Sequence, residues 1–200
     1  MRFLTSSLSI ALATVLVQAP AIAQTMSDSY NFIKSVKDGD GAKVQALLAA
    51  PGSTVARSRD PGTGESALHI VVKRRDVNWT AFLLQRGVDA NSGDKAGETP
   101  LGLAARIGFS EGARTLIAGG AQVDGANKRG ETPLIIAVQG RRVDMVQLLM
   151  RAGANPEKTD SAAGYSARDY AKQDRRAATI LRVLDEKRAP APRKSPTLPQ

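Results

Sequence analysis

Apolar residues in the middle of the chain fall into short runs separated by polar, glycine-bearing breaks. "LGLAAR" starts at Leu101, and after a break near Gly108 the apolar residues Ala113, Leu116 and Ile117 recur at i, i+3, i+4. "LIIAVQ" starts at Leu134, breaks near Gly140, and is followed by Val146, Leu149 and Met150 at the same spacing. That spacing puts the apolar residues on one face of a helix, so each stretch predicts two short helices joined by a tight turn. The boundaries carry their own signals. Thr99 and Thr132 can cap a helix through their hydroxyls, and Pro100 and Pro133 follow where a missing N–H costs nothing. Gly87, Gly120 and Gly153 close the second helices, a position that favours left-handed backbone. The Gly- and Asp-rich connections read as turns projecting from the helices.

These pairs repeat. A Gly-x-Ser/Thr start occurs at Gly64, Gly97, Gly130 and Gly164, with spacings of 33, 33 and 34 residues, and Gly87, Gly120 and Gly153 are again 33 apart. Two markers sharing one period make chance a poor explanation. The stretches "GETPLGLAARIGFSEGARTLIAGGAQVD" and "GETPLIIAVQGRRVDMVQLLMRAGANP" resemble ankyrin repeats in their G-x-T-P-L start, central break and L-L-x-x-G-A ending. The resemblance covers about residues 28–187. It implies an all-α solenoid of about four to five helix–turn–helix repeats, connected by short β-turns or hairpins. The expected units are a degenerate N-terminal cap at 28–60, repeats at 61–94, 95–127 and 128–160, and a C-terminal cap at 161–188. The outer units depart from the pattern. Residues 61–94 have Ser66-Ala67-Leu68-His69 for T-P-L-H and Arg75 where the mid-repeat Gly is expected. The first unit has lost T-P-L-H, although its Gly39 and Leu47-Leu48 line up with Gly108 and Leu116-Ile117 after an insertion of three residues. The last begins "GYSARDYA". Atypical ends are expected of stacked repeats, whose outer faces meet water.

The two ends of the chain read differently. "MRFLTSSLSIALATVLVQAPAIAQ" has a positive start at Arg2, a short apolar run and small residues at Ala21 and Ala23. This is the order of a secretory signal peptide, residues 1–23, cleaved after Ala23, and it predicts an exported, periplasmic protein. Left uncleaved, that segment would be the chain's membrane contact. Residues 189–200, "APAPRKSPTLPQ", read as a disordered, proline-rich basic tail.

Composition narrows the chemistry. The chain has no cysteine and a single histidine, which removes thiol nucleophiles, disulfides and ordinary zinc sites. His69 occupies the last position of the T-P-L-H-like start, where the resemblance implies a hydrogen bond to loop backbone. Asp38, Asp40, Asp94, Asp124, Asp160 and Asp169 are scattered, mostly in turns, where aspartate bonds local backbone. "KDGDG" lacks the spacing and closing glutamate of a calcium loop. No nucleophile, oxyanion or phosphate-loop arrangement is present. The expectation is a non-catalytic protein with no cofactor, no metal, no small-molecule substrate and no specific nucleic acid partner.

Charge adds one positive indication. Twenty-eight Lys and Arg against nineteen Asp and Glu give +9, or +8 once Arg2 leaves with the leader. In the implied architecture, turn tips and first helices line a concave face, and Arg57, Arg59, Lys73, Arg74, Lys95, Arg106, Lys128 and Arg129 match those places. A basic strip there would raise the local concentration of an acidic protein partner. The expected function is a scaffold or adaptor that binds another exported protein through the groove and tips. The alternative is an electrostatic binder of anionic polymers or membrane surfaces.

Overall fold

The computed structural model describes residues 20–186, with side chains from residue 27 onward. Most of the leader segment and the tail at 189–200 therefore lie outside the described residues. The helices come in five pairs: α1 Pro20–Asp38 with α2 Gly41–Ala49, α3 Ala67–Lys73 with α4 Val77–Gln85, α5 Pro100–Ile107 with α6 Ser110–Ala118, α7 Pro133–Gln139 with α8 Val143–Arg151, and α9 Ala167–Gln173 with α10 Ala178–Asp185. The first helices stack as one layer, α1 through α9, and α4, α6, α8 and α10 form a second. Among the described residues no strand is present. Two isolated antiparallel bridges, Arg59 with Ser66 and Thr159 with Ser166, mark the connecting turns.

Local chemistry starts each unit. The Thr99 hydroxyl accepts the Gly102 N–H at 3.1 Å and the Thr132 hydroxyl accepts the Ile135 N–H at 3.2 Å, with Pro100 and Pro133 in the first turn. Packing then does most of the work, since helices this short are marginal alone. Leu68, Leu101 and Leu134 are fully buried at one repeat position, and Leu83, Leu116 and Leu149 at another.

Two helix turns depart from expectation. The fourth unit's break passes through Gly140 in ordinary helical backbone (φ −79°), and the left-handed residue is Arg141, with φ 52°. Arg75 takes the same conformation, with φ 56°. A left-handed non-glycine residue costs about 1–2 kcal/mol. Both arginines reach the next unit: Arg75 donates to the Ile107 carbonyl and Arg141 pairs with Asp174. These links between units offset the strain. The N-terminal unit also differs, because α1 begins at Pro20 and runs without a break through Ala23. Ser27, Asp28 and Ser29, residue types that can start a helix, lie inside it instead.

The last unit is closed by polar substitution. Arg168 stands where Leu68, Leu101 and Leu134 are buried in earlier units. It pairs with Glu157 at 2.6 Å and with Asp185, and donates to the Leu184 carbonyl at 2.9 Å. The last described unit thus carries a guanidinium where the earlier units bury a leucine.

Candidate functional site

The projecting turns share one construction. Asp94 Oδ1 accepts the N–H groups of Ala96 (2.8 Å) and Glu98 (2.9 Å), and Asn127 Oδ1 accepts those of Arg129 (2.9 Å) and Glu131 (3.0 Å). Asp60 and Asp160 serve the first and last of these turns in the same way. Lys37 and the Thr63 N–H hold the Asp60 carboxyl down at about 2. Burial works to raise Asp160, but the Tyr170 hydroxyl and three backbone N–H groups outweigh it and keep the group below the usual aspartate value. Successive tips are then joined by backbone: Lys95 N–H donates to Thr63 (3.2 Å), Lys128 to Ala96 (3.0 Å) and Ser161 to Arg129 (2.8 Å). The turns form a continuous hydrogen-bonded edge.

His69 belongs to this edge. It is 1% exposed; its Nδ1 accepts the Ser66 N–H at 3.2 Å, which leaves Nε2 to donate to the Glu98 carbonyl at 2.8 Å. Burial lowers its pKa below 6.5, against the opposing pull of the Glu98 carbonyl. Among the described residues no group of three or more His, Asp or Glu side chains is arranged to hold a metal ion.

Seven of the eight basic residues expected on the groove fall into three sets. Lys95, Lys128 and Arg129 are exposed on the tips, with Lys95 Nζ 2.6 Å from the Gly62 carbonyl. Arg57 is exposed in a short 3₁₀ turn, and Arg59 donates to Gly93 and Ser92 of the neighbouring tip. Lys73 and Arg106 occupy equivalent positions at the far ends of α3 and α5. Arg74 stands apart from the rest. It turns to the α3–α4 corner, donates to the Val36 carbonyl at 2.9 Å and lies 6.0 Å from the Trp79 ring. Charge alone gave no sign of this, because the α1 carbonyls it satisfies are 37 and 38 residues away.

Beneath the strip lie carboxylates whose pairing with it the charge pattern did not show. Glu65, Glu98 and Glu131 follow the repeat-start glycines and recur every 33 residues, a signal present in the sequence. Glu65 pairs with Lys73, Glu98 with Arg106 at 2.9 Å, and Glu131 with Arg129 at 2.7 Å, with Arg106 a further 4.0 Å from Glu131. The glutamate side chains are 11–14% exposed and their cationic partners 42–63%. These pairs therefore present cations outward over partly buried carboxylates. Burial pushes the Glu98 carboxyl up, against the pull of Arg106. Such half-exposed pairs add little to stability.

A family model described as "Ankyrin repeats (3 copies)" matches residues 32–125 and, in an overlapping match, residues 68–160. The chain belongs to the ankyrin-repeat family. Ankyrin repeats generally mediate protein–protein interaction and are typically non-catalytic. Oxysterol-binding protein homolog 1 of Saccharomyces cerevisiae is 27% identical over 95 residues, which is 46% of this chain and 8% of that protein. The ankyrin chain thus spans under a tenth of the length of that relative, whose name states oxysterol binding.

Proposed function

We propose that this ankyrin-repeat protein is an exported, non-catalytic scaffold that binds another exported protein through its groove and turn tips, and that the partner surface is acidic. The observation that carries this reading is the layering of charge, with Lys73, Arg106 and Arg129 held outward over the less exposed Glu65, Glu98 and Glu131. Ion-paired cations of fixed position lose less side-chain entropy on meeting a carboxylate than free ones do. Lys95 and Lys128 extend the same sign along the tips.

Export is supported by Arg2, the short apolar run and Ala21-Ile22-Ala23. A cut after Ala23 would leave the buried residues of α1, Phe32, Ile33 and Val36, in the mature chain. Among the described residues no helix is long and apolar enough to cross a membrane.

Reversal of Lys95, Lys128 and Arg129 to Glu tests the binding reading. The variant should melt as the parent does, yet recover less partner from the exported fraction, measured by co-purification and mass spectrometry. Equal recovery would remove the basic tips from the interface. Binding that falls linearly with the logarithm of salt, whatever the partner's shape, would instead identify an anionic polymer. The same mass analysis should find Gln24 at the mature terminus.

A further inference from the structure

The groove changes character along its length. The residue after each repeat-start glycine runs Glu65, Glu98, Glu131 and then Tyr165, and the residue eight positions later runs Lys73, Arg106, Gln139 and then Gln173. One end of the row is therefore ion-paired, while the other carries amides and an aromatic ring.

Tyr165 is the unusual member. It is 42% exposed, where the glutamates it replaces are nearly covered. Its ring is nonetheless held: Tyr170 meets it edge-on at 5.6 Å and 88°, and Tyr170 donates its hydroxyl to Asp160 at 2.5 Å. Asp160 is itself buried and anchored by the N–H groups of Ala162, Ala163 and Gly164. Gln139 lies beside the Tyr170 hydroxyl. An exposed aromatic whose orientation is fixed gives up little entropy on binding, which is the usual makeup of an interface anchor.

Spacing suggests what would lie along this row. Stacked helices are about 8–10 Å apart. A polyproline-type strand returns to the same face every third residue, about 9 Å. Such a strand would offer one side chain to each ankyrin unit. Its prolines suit an aromatic face, and its exposed backbone carbonyls suit glutamine amides.

We propose that Tyr165, Tyr170, Gln139 and Gln173 form a subsite for a prolyl residue of an extended acidic segment, whose carboxylates lie against Lys73 and Arg106. This rests on the acidic-partner reading above and adds the conformation of the partner and the residue that anchors it.

The probe is a fluorescein-labelled peptide, Glu-Pro-Pro-Glu-Pro-Pro-Ser-Pro-Pro-Pro, tested with its reversed sequence against the full chain by fluorescence anisotropy at low salt. One orientation should bind. Tyr165→Ser should weaken it by roughly tenfold, the scale of a lost aromatic contact, while Tyr165→Phe should bind as the parent does. Lys73→Glu with Arg106→Glu should also weaken it. Because Tyr165 is exposed, its variants should melt with the parent; a lowered melting temperature for Tyr165→Ser with unchanged binding would overturn the proposal. Unchanged binding by Tyr165→Ser, with the charge reversals still effective, would overturn the aromatic subsite and leave the acidic-partner reading standing. Failure of both peptides to bind would also overturn it.

Discussion

At the scale of single residues, the glycines that open the repeats at Gly64, Gly97 and Gly130 have two reasons to be there. Gly97 and Gly130 have φ 76° and 77°, in the left-handed region. A Cβ on Gly97 would stand 3.0 Å from the Lys128 nitrogen, and one on Gly130 would stand 2.5 Å from the Ser161 nitrogen. These are the N–H groups that link one tip to the next, so an added methyl strikes backbone that cannot move without breaking the ladder. Gly52 is also left-handed, with φ 72°, but a Cβ there meets nothing within 4 Å. Gly52→Ala should cost only the backbone strain, about 1–2 kcal/mol. Gly130→Ala should lose clearly more in chemical denaturation; equal losses would show that the tip spacing is not tight. His69 gives a second test at this scale. The folded state holds its ring neutral, so between the lowered native pKa and 6.5 the unfolded chain binds more protons. Stability should therefore fall as pH drops below 6.5, and His69→Gln should flatten that slope. Glu98, raised by burial, works in the opposite direction on acidification and is common to both proteins. The difference between parent and variant therefore isolates the histidine.

The helices, taken as elements, are held by their partners more than by their own sequences. α7 has only seven residues, yet Leu134, Ile135, Ile136, Ala137 and Val138 are all buried in it. Leu116 on α6 and Leu149 on α8 are 0% exposed, and each repeats the position of Leu83 on α4. Replacing either by Ala should destabilise by about 2–5 kcal/mol, the range for core truncation. A urea melt unchanged by Leu149→Ala would contradict its burial. Gly119, at the end of α6, shows how closely such elements are fitted, since a Cβ there would lie 2.7 Å from the Leu84 side chain of α4.

For the whole molecule, the two ends decide whether the stack stops. Arg168 occupies the position at which inner units bury leucine, and its pairing with Glu157 and Asp185 spreads charge over the last face. Arg168→Leu should leave the inner repeats folded and promote end-to-end association, seen as concentration-dependent sedimentation. A strictly monomeric Arg168→Leu would show that other residues close the end. The links between units are distributed in the same way: Asn91 accepts the Gln122 N–H at 2.7 Å, Asp124 accepts that of Asn155 at 3.0 Å, and Arg75 and Arg141 clamp the opposite edge.

The repeat frame was legible in the sequence because its signals act locally. A threonine hydroxyl caps a helix two or three residues away, a proline tolerates only the first turn, and a left-handed glycine ends a helix wherever it falls. These effects need no knowledge of the neighbouring unit, so Thr99, Pro100, Gly120 and their copies mark the elements correctly. The burial of Leu116 and Leu149 followed from the helical period alone. Where the charges go was another matter. Arg74 is drawn to carbonyls on α1, Arg75 and Arg141 accept strained backbone to reach the next unit, and Arg106 lies between two glutamates 33 residues apart. All of those partners but Glu98, which lies in the same unit as Arg106, are near only because units stack, and side chains that long can reach several groups of similar energy. The fold was therefore set by short-range preferences repeated along the chain, while the face available for binding was decided by contacts between repeats.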